Sequence, residues 1–217
     1  MTILGIDTCD KTAAAAIMRD GEVLAEAAFM TGRTHSQVIL PLAKRCLSDA
    51  GLTLNDMDAF AAITGPGSYT GLRIGISAVQ GICYALGKPC IGVSALEALA
   101  ANVPVMPQTT VFTIMHARQD LYYFAEYAND KTITEPCIMN SSDITRYMSC
   151  RSANVIPIGD TDGIELTANC IALPKVYSRR TAVSLCAAAM HHDPISADQL
   201  LPDYLQITKA EKDLIEK

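Results

Sequence analysis

The sequence has no tryptophan, and only 6% of its 217 residues are aromatic. Charged residues make up 18% of the chain and hydrophobic residues 50%, a composition typical of a globular chain with a sizeable core and not of a disordered one. No apolar run is nearly as long as the roughly 20 residues that a helix needs to cross a bilayer. The first residues lack the basic segment and cleavage-like site of a signal peptide, so we expect a cytoplasmic protein without a membrane partner.

Motifs for metal binding and nucleophilic catalysis are also missing. The eight cysteines include no Cys-x-x-Cys pair and the four histidines no His-x-x-x-His pair, which argues against zinc. Ser68 lies in a glycine-rich stretch but lacks the Gly-x-Ser-x-Gly pattern of a nucleophile elbow. We therefore predict no catalytic residue, no metal and no cofactor, and we expect the cysteines to be free thiols, mostly in the core.

Basic residues are too few for the chain alone to hold a polyphosphate. The 17 Lys and Arg residues face 23 Asp and Glu residues, giving a net charge of -6. Nucleic-acid affinity comes mainly from basic side chains on phosphates. Any role on nucleic acid therefore requires a partner protein.

The first half of the chain predicts a mixed sheet with helices on both faces. Asp20-Gly21 separates two β-compatible runs and is typical of a tight hairpin turn. Thr34-His35-Ser36-Gln37 matches a capping box before a helix that ends at Gly51. A second long helix is predicted over 69–86 and a short one after Ser94. The predicted strands are 2–6, 13–18, 22–29, 59–64 and 89–93.

The segment 103–107, which contains two prolines and no periodicity, is the predicted boundary between two lobes. We predict a first lobe over 1–103 and a shortened second lobe over 104–217, with its last helix packing back on the first lobe. The order of elements in the second half repeats that of the first. Its predicted strands are 111–115, 121–127, 133–139, 155–158 and 170–173, and its predicted helices are 141–148 and 181–191.

A glycine-rich stretch, Gly65 to Gly75, lies between a predicted strand and a predicted helix. One interpretation is a phosphate cradle, because the free amides at a helix start can receive phosphates. The other is a tight turn whose glycines allow backbone conformations closed to bulkier residues. We favour the turn and predict that backbone geometry selects its residues Gly65, Pro66, Gly67 and Gly71.

A nucleotide site would need a phosphate loop after the first strand, where the sequence reads Asp7-Thr8-Cys9-Asp10-Lys11-Thr12. No glycine follows Asp7, and Asp10 adds a second carboxylate that repels a triphosphate. The second-half segment 159–163 contains two carboxylates as well and is interpreted as an ordinary loop. Nucleotide binding is therefore disfavoured.

The helix after the glycine-rich stretch is rich in small residues and has almost no charge beyond Arg73. Small residues at three- and four-residue spacing allow another helix to approach closely. The alternatives are a central core helix or a helix with one face on a partner. Together with the helix over 36–50 it would present a two-helix face.

Four segments of the chain resemble the TsaB (YeaZ) family, the bacterial non-catalytic subunits of the machinery that makes threonylcarbamoyladenosine beside the tRNA anticodon. They are Ile6–Thr8, His35–Pro41, Gly65–Gly75 and Gly92–Ser94. The resemblance covers essentially the whole chain and is most specific up to about Ser94. It departs at His116-Ala117-Arg118, where the family usually has Asp-Ala-Arg, and at Gln206, where it often has Arg.

The resemblance implies a two-lobed actin/Hsp70-like ATPase (ribonuclease H-like) α/β fold with a shortened second lobe and a degenerate nucleotide site. It implies a TsaD-like catalytic subunit and a TsaE-like ATPase as partners, a homodimer in isolation, and contact with tRNA only through the complex. The two-helix face would be the interface. Its predicted residues are His35, Val38, Leu42, Leu72, Arg73, Ile76 and Val79.

Two other functions remain open from the residues. A small kinase or ATPase of the same fold would need a working phosphate loop at residues 7–12. A glycoprotease-like peptidase would need a metal-binding pair or a nucleophile motif. A non-catalytic scaffold or activator subunit that binds TsaD is the preferred hypothesis.

Overall fold

The computed structural model describes residues 1–30, 34–129 and 131–205. Its first sheet has the strand order β3-β2-β1-β4-β5. Strands β1 to β3 form the predicted antiparallel meander, with positive φ at Asp20 and Gly21 in the hairpin turn, and β4 and β5 continue parallel to β1. The bounds are β1 Thr2–Asp7, β2 Thr12–Arg19, β3 Glu22–Met30, β4 Ala59–Gly65 and β5 Cys90–Ser94.

Helices cover both faces of this sheet, as a parallel crossover requires. On the central strand β1, Gly5 lies against helix α5 and Ile6 lies near Gly75 of helix α2. Adjacent strand residues face opposite sides, so α2 and α5 lie on opposite faces. The helices are α1 His35–Asp49, α2 Tyr69–Leu86, α3 Ala95–Ala100, α4 Ser141–Ser149 and α5 Ala182–Ala189.

The second sheet repeats the first in shortened form, with the order β8-β7-β6-β9. Its strands are β6 Thr109–Arg118, β7 Leu121–Ala128, β8 Lys131–Asn140 and β9 Asn154–Gly159, and α4 connects β8 to β9. The antiparallel pairs β6–β7 and β7–β8 and the parallel pair β6–β9 match those of the first four strands. The predicted two-lobed actin/Hsp70-like fold with a shortened second lobe is therefore confirmed.

Helix α5 follows the second sheet in the chain but packs on the first. Its residues Leu185 and Cys186 are fully buried in the same core as β1, β2 and β4. Cys186 Sγ also lies 3.5 Å from the carbonyl oxygen of Ala16 in β2. The chain therefore returns to the first lobe before it ends.

Two local predictions were wrong. Residues 170–173 form only an isolated bridge, because the chain leaves β9 after the hydrogen bond from the Ile171 amide to the Val155 carbonyl, and Pro174 has no N–H to extend the ladder. Thr34 does precede helix α1, but its side chain makes no capping hydrogen bond. All eight cysteines are free, as predicted, and five of them are buried.

Candidate partner-binding face and closed phosphate loop

The glycine-rich turn packs directly on the loop that follows β1. A Cβ at Gly71 would lie 2.2 Å from the carbonyl oxygen of Thr8, and one at Gly67 would lie 2.7 Å from the sulfur of Cys9. The Thr8 hydroxyl donates to the carbonyl oxygen of Gly71 at 2.6 Å. The glycines therefore allow two backbone segments to approach within a distance that any side chain would prevent.

The acidic group of this loop is paired inside the protein. Arg180 Nε donates to Asp7 Oδ2 at 2.7 Å, and each side chain is only 6% exposed. The Cys9 amide donates to Asp7 Oδ1 at 2.9 Å, and the Lys11 amide donates to the side chain of Asp10. These amides, which would receive a phosphate in a nucleotide site, thus donate to carboxylates of their own loop.

The charges around Asp7 keep the neighbouring groups in fixed protonation states. Burial raises the pKa of the Cys9 thiol to about 12, although the Arg180 guanidinium opposes the shift. Burial also acts against the charge of Arg180, but Asp7, Cys9 and Asp10 together outweigh it and raise the pKa of the guanidinium. Cys9 is therefore an inert core thiol and Arg180 a permanent cation.

A cavity of about 240 Å³ lies between α3, the segment 101–106, β6, β7 and α5. None of the residues 7–12 lines it. A ligand held there would not meet the Asp7 loop, so the cavity does not restore a nucleotide site of the kind described above.

Three residues predicted at the partner interface belong to the protein's own core, which corrects that prediction. Leu72, Ile76 and Val79 are 1%, 4% and 0% exposed and pack in the first-lobe core under α2. A side chain that is already covered by its own chain has no area left to bury against a partner. These residues hold α2 on the sheet.

The other four predicted interface residues differ in accessibility. Val38 and Leu42 are half-buried and pack against the first-lobe core. His35 is half-buried, and its Nδ1 donates to the Thr8 carbonyl oxygen at 3.0 Å, which joins the start of α1 to the Asp7 loop. Only Arg73 is exposed.

The outer surface of the two helices contains a groove of about 540 Å³. Leu40 lies on its wall with 52% of its surface exposed, and Tyr69 with 44%. We call this surface the α1–α2 face. The groove is lined by Ser36, Ile39 and Leu40 from α1 and by Tyr69, Thr70, Arg73, Ile74, Ser77 and Ala78 from α2.

Residues 195–205, which we call the C-terminal strap, lie along the edge of the first sheet and over α2. Ile195 and Cys90 exchange backbone hydrogen bonds of 2.7 and 2.9 Å, so the strap adds a bridge to edge strand β5. Further on, the Asp203 amide donates to the Thr64 carbonyl oxygen at 2.8 Å. The strap thereby reaches the glycine-rich turn.

Tyr204 of the strap completes one end of the groove. Its ring stacks on Tyr69 with 4.9 Å between centroids, and Arg73 lies 4.1 Å from the centroid of Tyr69. Arg73 Nε donates to the Tyr204 hydroxyl oxygen at 2.9 Å. The exposed cation is thus held in place by two aromatic rings.

Sequence reasoning identified Arg73 but missed the exposed apolar and aromatic residues of this face. Leu40 lies outside the buried stripe of α1, which comprises Ile39, Ala43, Cys46 and Leu47, and an apolar residue off the core stripe of an amphipathic helix is the signal that indicates it. Tyr204 is far from α2 in sequence, and only the tertiary structure brings them together.

His116, one of the two departures from the family pattern, lies in an ordinary hairpin of the second lobe. The amide of His116 donates to Asp160 Oδ2 at 2.8 Å, and His116 Nε2 contacts the Gln119 carbonyl oxygen at 2.9 Å within the β6–β7 hairpin. Asp160 therefore stabilises the end of β6. Gln206, the other departure from the family pattern, lies outside the described residues.

Among residues 1–30, 34–129 and 131–205, no three His, Cys, Asp or Glu side chains converge as a metal site would require. None of the helices in that part of the chain is long and apolar enough to cross a bilayer.

Residues 23–185, more than half of the chain, match the family model described as "TsaD: tRNA N6-adenosine threonylcarbamoyltransferase". The Escherichia coli tRNA threonylcarbamoyladenosine biosynthesis protein TsaB is 39% identical over 132 residues, which cover 60% of this chain and 57% of that protein. The protein of the same name from Bacillus subtilis is 27% identical over 228 residues, covering 100% of this chain and 99% of its own.

The solved structure of YeaZ from Pseudomonas aeruginosa has a TM-score of 0.81 and 26% sequence identity, with 94% of this chain and 99% of that chain covered. Its agreement extends over both lobes. The chain therefore belongs to the TsaD-related family that the model describes and, within it, to the TsaB (YeaZ) family.

Proposed function

We propose that this chain is a non-catalytic accessory subunit of a tRNA threonylcarbamoyltransferase complex, where it binds and activates a TsaD-like catalytic subunit. The names of its relatives connect the family with threonylcarbamoyladenosine biosynthesis. The observation that carries the non-catalytic role is the buried pair between Asp7 and Arg180, with the loop amides donating to Asp7 and Asp10. Because the loop that would hold a phosphate is occupied by side chains of this chain, we infer that the protein functions by binding a partner and not by catalysis.

The surface that supports binding is the α1–α2 face. Leu40 and Tyr69 expose apolar area beside a groove, whereas the core-facing residues of the same helices keep them firmly on the sheet. Exposed apolar side chains around a concave surface favour protein–protein contact. In this proposal the protein works in the cytoplasm, a TsaE-like ATPase joins the same complex, tRNA is reached only through it, and two copies pair through the face in isolation.

A calorimetric titration with the TsaD-like subunit from the same organism tests the proposal. Leu40→Glu places a charge in the centre of the face and is expected to weaken binding at least about 30-fold, as for an interface hot spot. Val176→Glu is the matched control, because Val176 is 75% exposed on the second lobe, and it is expected to leave the affinity unchanged. Equal affinities for the two variants and the wild type would refute the proposed interface.

The non-catalytic part is tested on the isolated protein with magnesium and ATP. We expect no binding in the micromolar range, because the amides of Cys9 and Lys11 already donate to Asp7 and Asp10 and the Asp7 carboxylate is paired with Arg180. Micromolar binding would contradict the closed loop and favour the alternative of an ATP-binding enzyme with the same fold.

A further inference from the structure

The α1–α2 face is basic although the chain as a whole is acidic. Helices α1 and α2 contain Lys44, Arg45 and Arg73, with Asp49 as their only acidic residue, while the net charge of the chain is -6. The remainder of the sequence is therefore strongly acidic. An approaching acidic surface would be attracted to this face and repelled elsewhere.

The basic side chains flank the apolar ridge made by Leu40. On one side of Leu40 lies the groove that contains Arg73. On the other side a hollow of about 530 Å³ is lined by Leu40, Pro41, Lys44, Arg45 and Ser48. The face thus has an apolar centre between two cationic margins, the usual arrangement of a hydrophobic core and polar rim at an interface.

Within the described residues, neither Arg73 nor Lys44 forms a salt bridge. Arg45 pairs with Asp49 at 2.6 Å, but both side chains are more than half exposed, so that pair is readily exchanged. Arg73 is held by the ring of Tyr69 and the hydroxyl of Tyr204. A guanidinium fixed in this way is preorganised to bind a carboxylate.

We propose that the partner surface recognised by the α1–α2 face presents Asp or Glu carboxylates around an apolar side chain seated in the groove. Arg73 is the anchoring cation, and Tyr204 is its positioning residue. The inference rests on the proposed function, which identifies the partner as a TsaD-like subunit. It adds that carboxylates on the partner surface distinguish this partner from a second copy of the chain.

The salt dependence of the dissociation constant distinguishes a homodimer from a complex with an acidic partner. A homodimer through the same face would bring like charges of two copies together, so screening would strengthen it. A complex with an acidic partner would be weakened by the same screening. Between about 0.1 M and 1 M salt the Debye length falls from about 10 Å to about 3 Å, so the two dissociation constants should change in opposite directions.

The test is a titration of the full chain with the TsaD-like subunit at low and high salt, together with the oligomeric state of the isolated protein. Charge reversal by Arg73→Glu or Lys44→Glu is expected to weaken the complex at least about fivefold at low salt and to reduce its salt dependence. Arg146→Glu makes the same charge change at an exposed side chain of helix α4 in the second lobe. It is expected to change neither the affinity for the TsaD-like subunit nor its salt dependence.

Tyr204→Phe keeps the aromatic stack and removes the hydroxyl that accepts the hydrogen bond from Arg73. We expect a loss of affinity of about threefold at low salt that disappears in the Arg73→Glu background, because the two residues act on one contact. An unchanged loss in that background would overturn the positioning role.

The outcomes distinguish the two proposals. If Leu40→Glu weakens the complex but charge reversal and salt do not, the acidic-partner inference is wrong and the proposed interface remains. If Leu40→Glu has no effect, the proposed interface itself fails. A homodimer that weakens with salt would also contradict the inference.

Discussion

Each lobe buries one carboxylate against an arginine, but the two pairs are built differently. In the first lobe, Asp7 at the end of β1 meets Arg180, which precedes α5 and lies 173 residues away along the chain, and both side chains are 6% exposed. In the second lobe, Glu126 of β7 meets Arg151, only 25 residues away. Glu126 is 3% exposed and Arg151 31%.

The two pairs have different surroundings and different roles. The second pair belongs to a polar cluster in which Glu126 also accepts hydrogen bonds from two threonines and a tyrosine. Several donors besides Arg151 therefore stabilise the negative charge of Glu126. In the first pair, Asp7 accepts hydrogen bonds from the Arg180 guanidinium and from one backbone amide. This pair joins the loop after β1 to the segment that precedes α5. Pairing in the first lobe holds the loop after β1 against the segment before α5, whereas pairing in the second supports a helix on a sheet.

Arg180→Met is expected to have the largest effect. It leaves the buried Asp7 carboxylate without its cation, which lowers the free energy of unfolding by about 3–5 kcal/mol, measured by urea denaturation at neutral pH. Arg179→Met is the control, because Arg179 is exposed and, among the described residues, its side chain donates only a long hydrogen bond of 3.3 Å to Thr12. Equal losses for the two variants would show that the first pair does not hold the loop.

Gly71→Ala tests the close approach of the turn to the same loop. The new Cβ would lie 2.2 Å from a backbone oxygen of Thr8, so we expect a loss of about 2–3 kcal/mol in the free energy of unfolding. Gly81→Ala on the same helix meets nothing within 4 Å and is expected to stabilise by about 0.5–1 kcal/mol. Thermal unfolding that ranks the two variants in the opposite order would contradict the packing of the turn.

Arg151→Met breaks the second pair and is expected to cost about 1–2 kcal/mol, less than Arg180→Met. Glu126 keeps its hydroxyl donors, which are Thr110, Thr134 and Tyr147. Urea denaturation of the two arginine variants side by side measures the comparison directly. A larger loss for Arg151→Met would reverse the roles assigned to the two pairs.

His192 gives the smallest effect, and it depends on pH. Its hydrogen bond with Glu97 at 2.6 Å raises the pKa of the imidazole. A raised pKa in the folded state contributes stability that is complete below the unfolded value of about 6.5 and is lost as the pH rises through the folded value. His192→Gln should therefore lose about 0.5 kcal/mol at pH 5.5 and nothing at pH 9; a loss that grows with pH would contradict the pairing.

Sequence periodicity predicted the elements of both sheets because alternation and helical spacing are local properties. Helix α2 over Tyr69–Leu86 was found in this way, and the hairpin was found from its turn residues Asp20 and Gly21. The same periodicity did not identify the outer side of α2, since apolar and small residues surround most of that helix. Leu72 and Ile76 were therefore assigned to the wrong side.

Contacts between distant segments were outside the reach of sequence patterns. Nothing local to Asp7 indicates that Arg180 neutralises it, and nothing local to Arg73 indicates the stack with Tyr204. The sequence did predict a poor phosphate loop from the absence of glycine after Asp7. The tertiary structure adds that this loop packs on the glycine-rich turn and that its carboxylate pairs with Arg180.

Hydrogen exchange measured with and without the TsaD-like subunit maps the surface that the partner covers. We expect slower exchange in α1 and α2, over His35–Asp49 and Tyr69–Leu86, and unchanged exchange in α4, over Ser141–Ser149, because the basic, apolar α1–α2 face belongs to the first lobe. Protection confined to α4 or to the second sheet, with α1 and α2 unaffected, would contradict it.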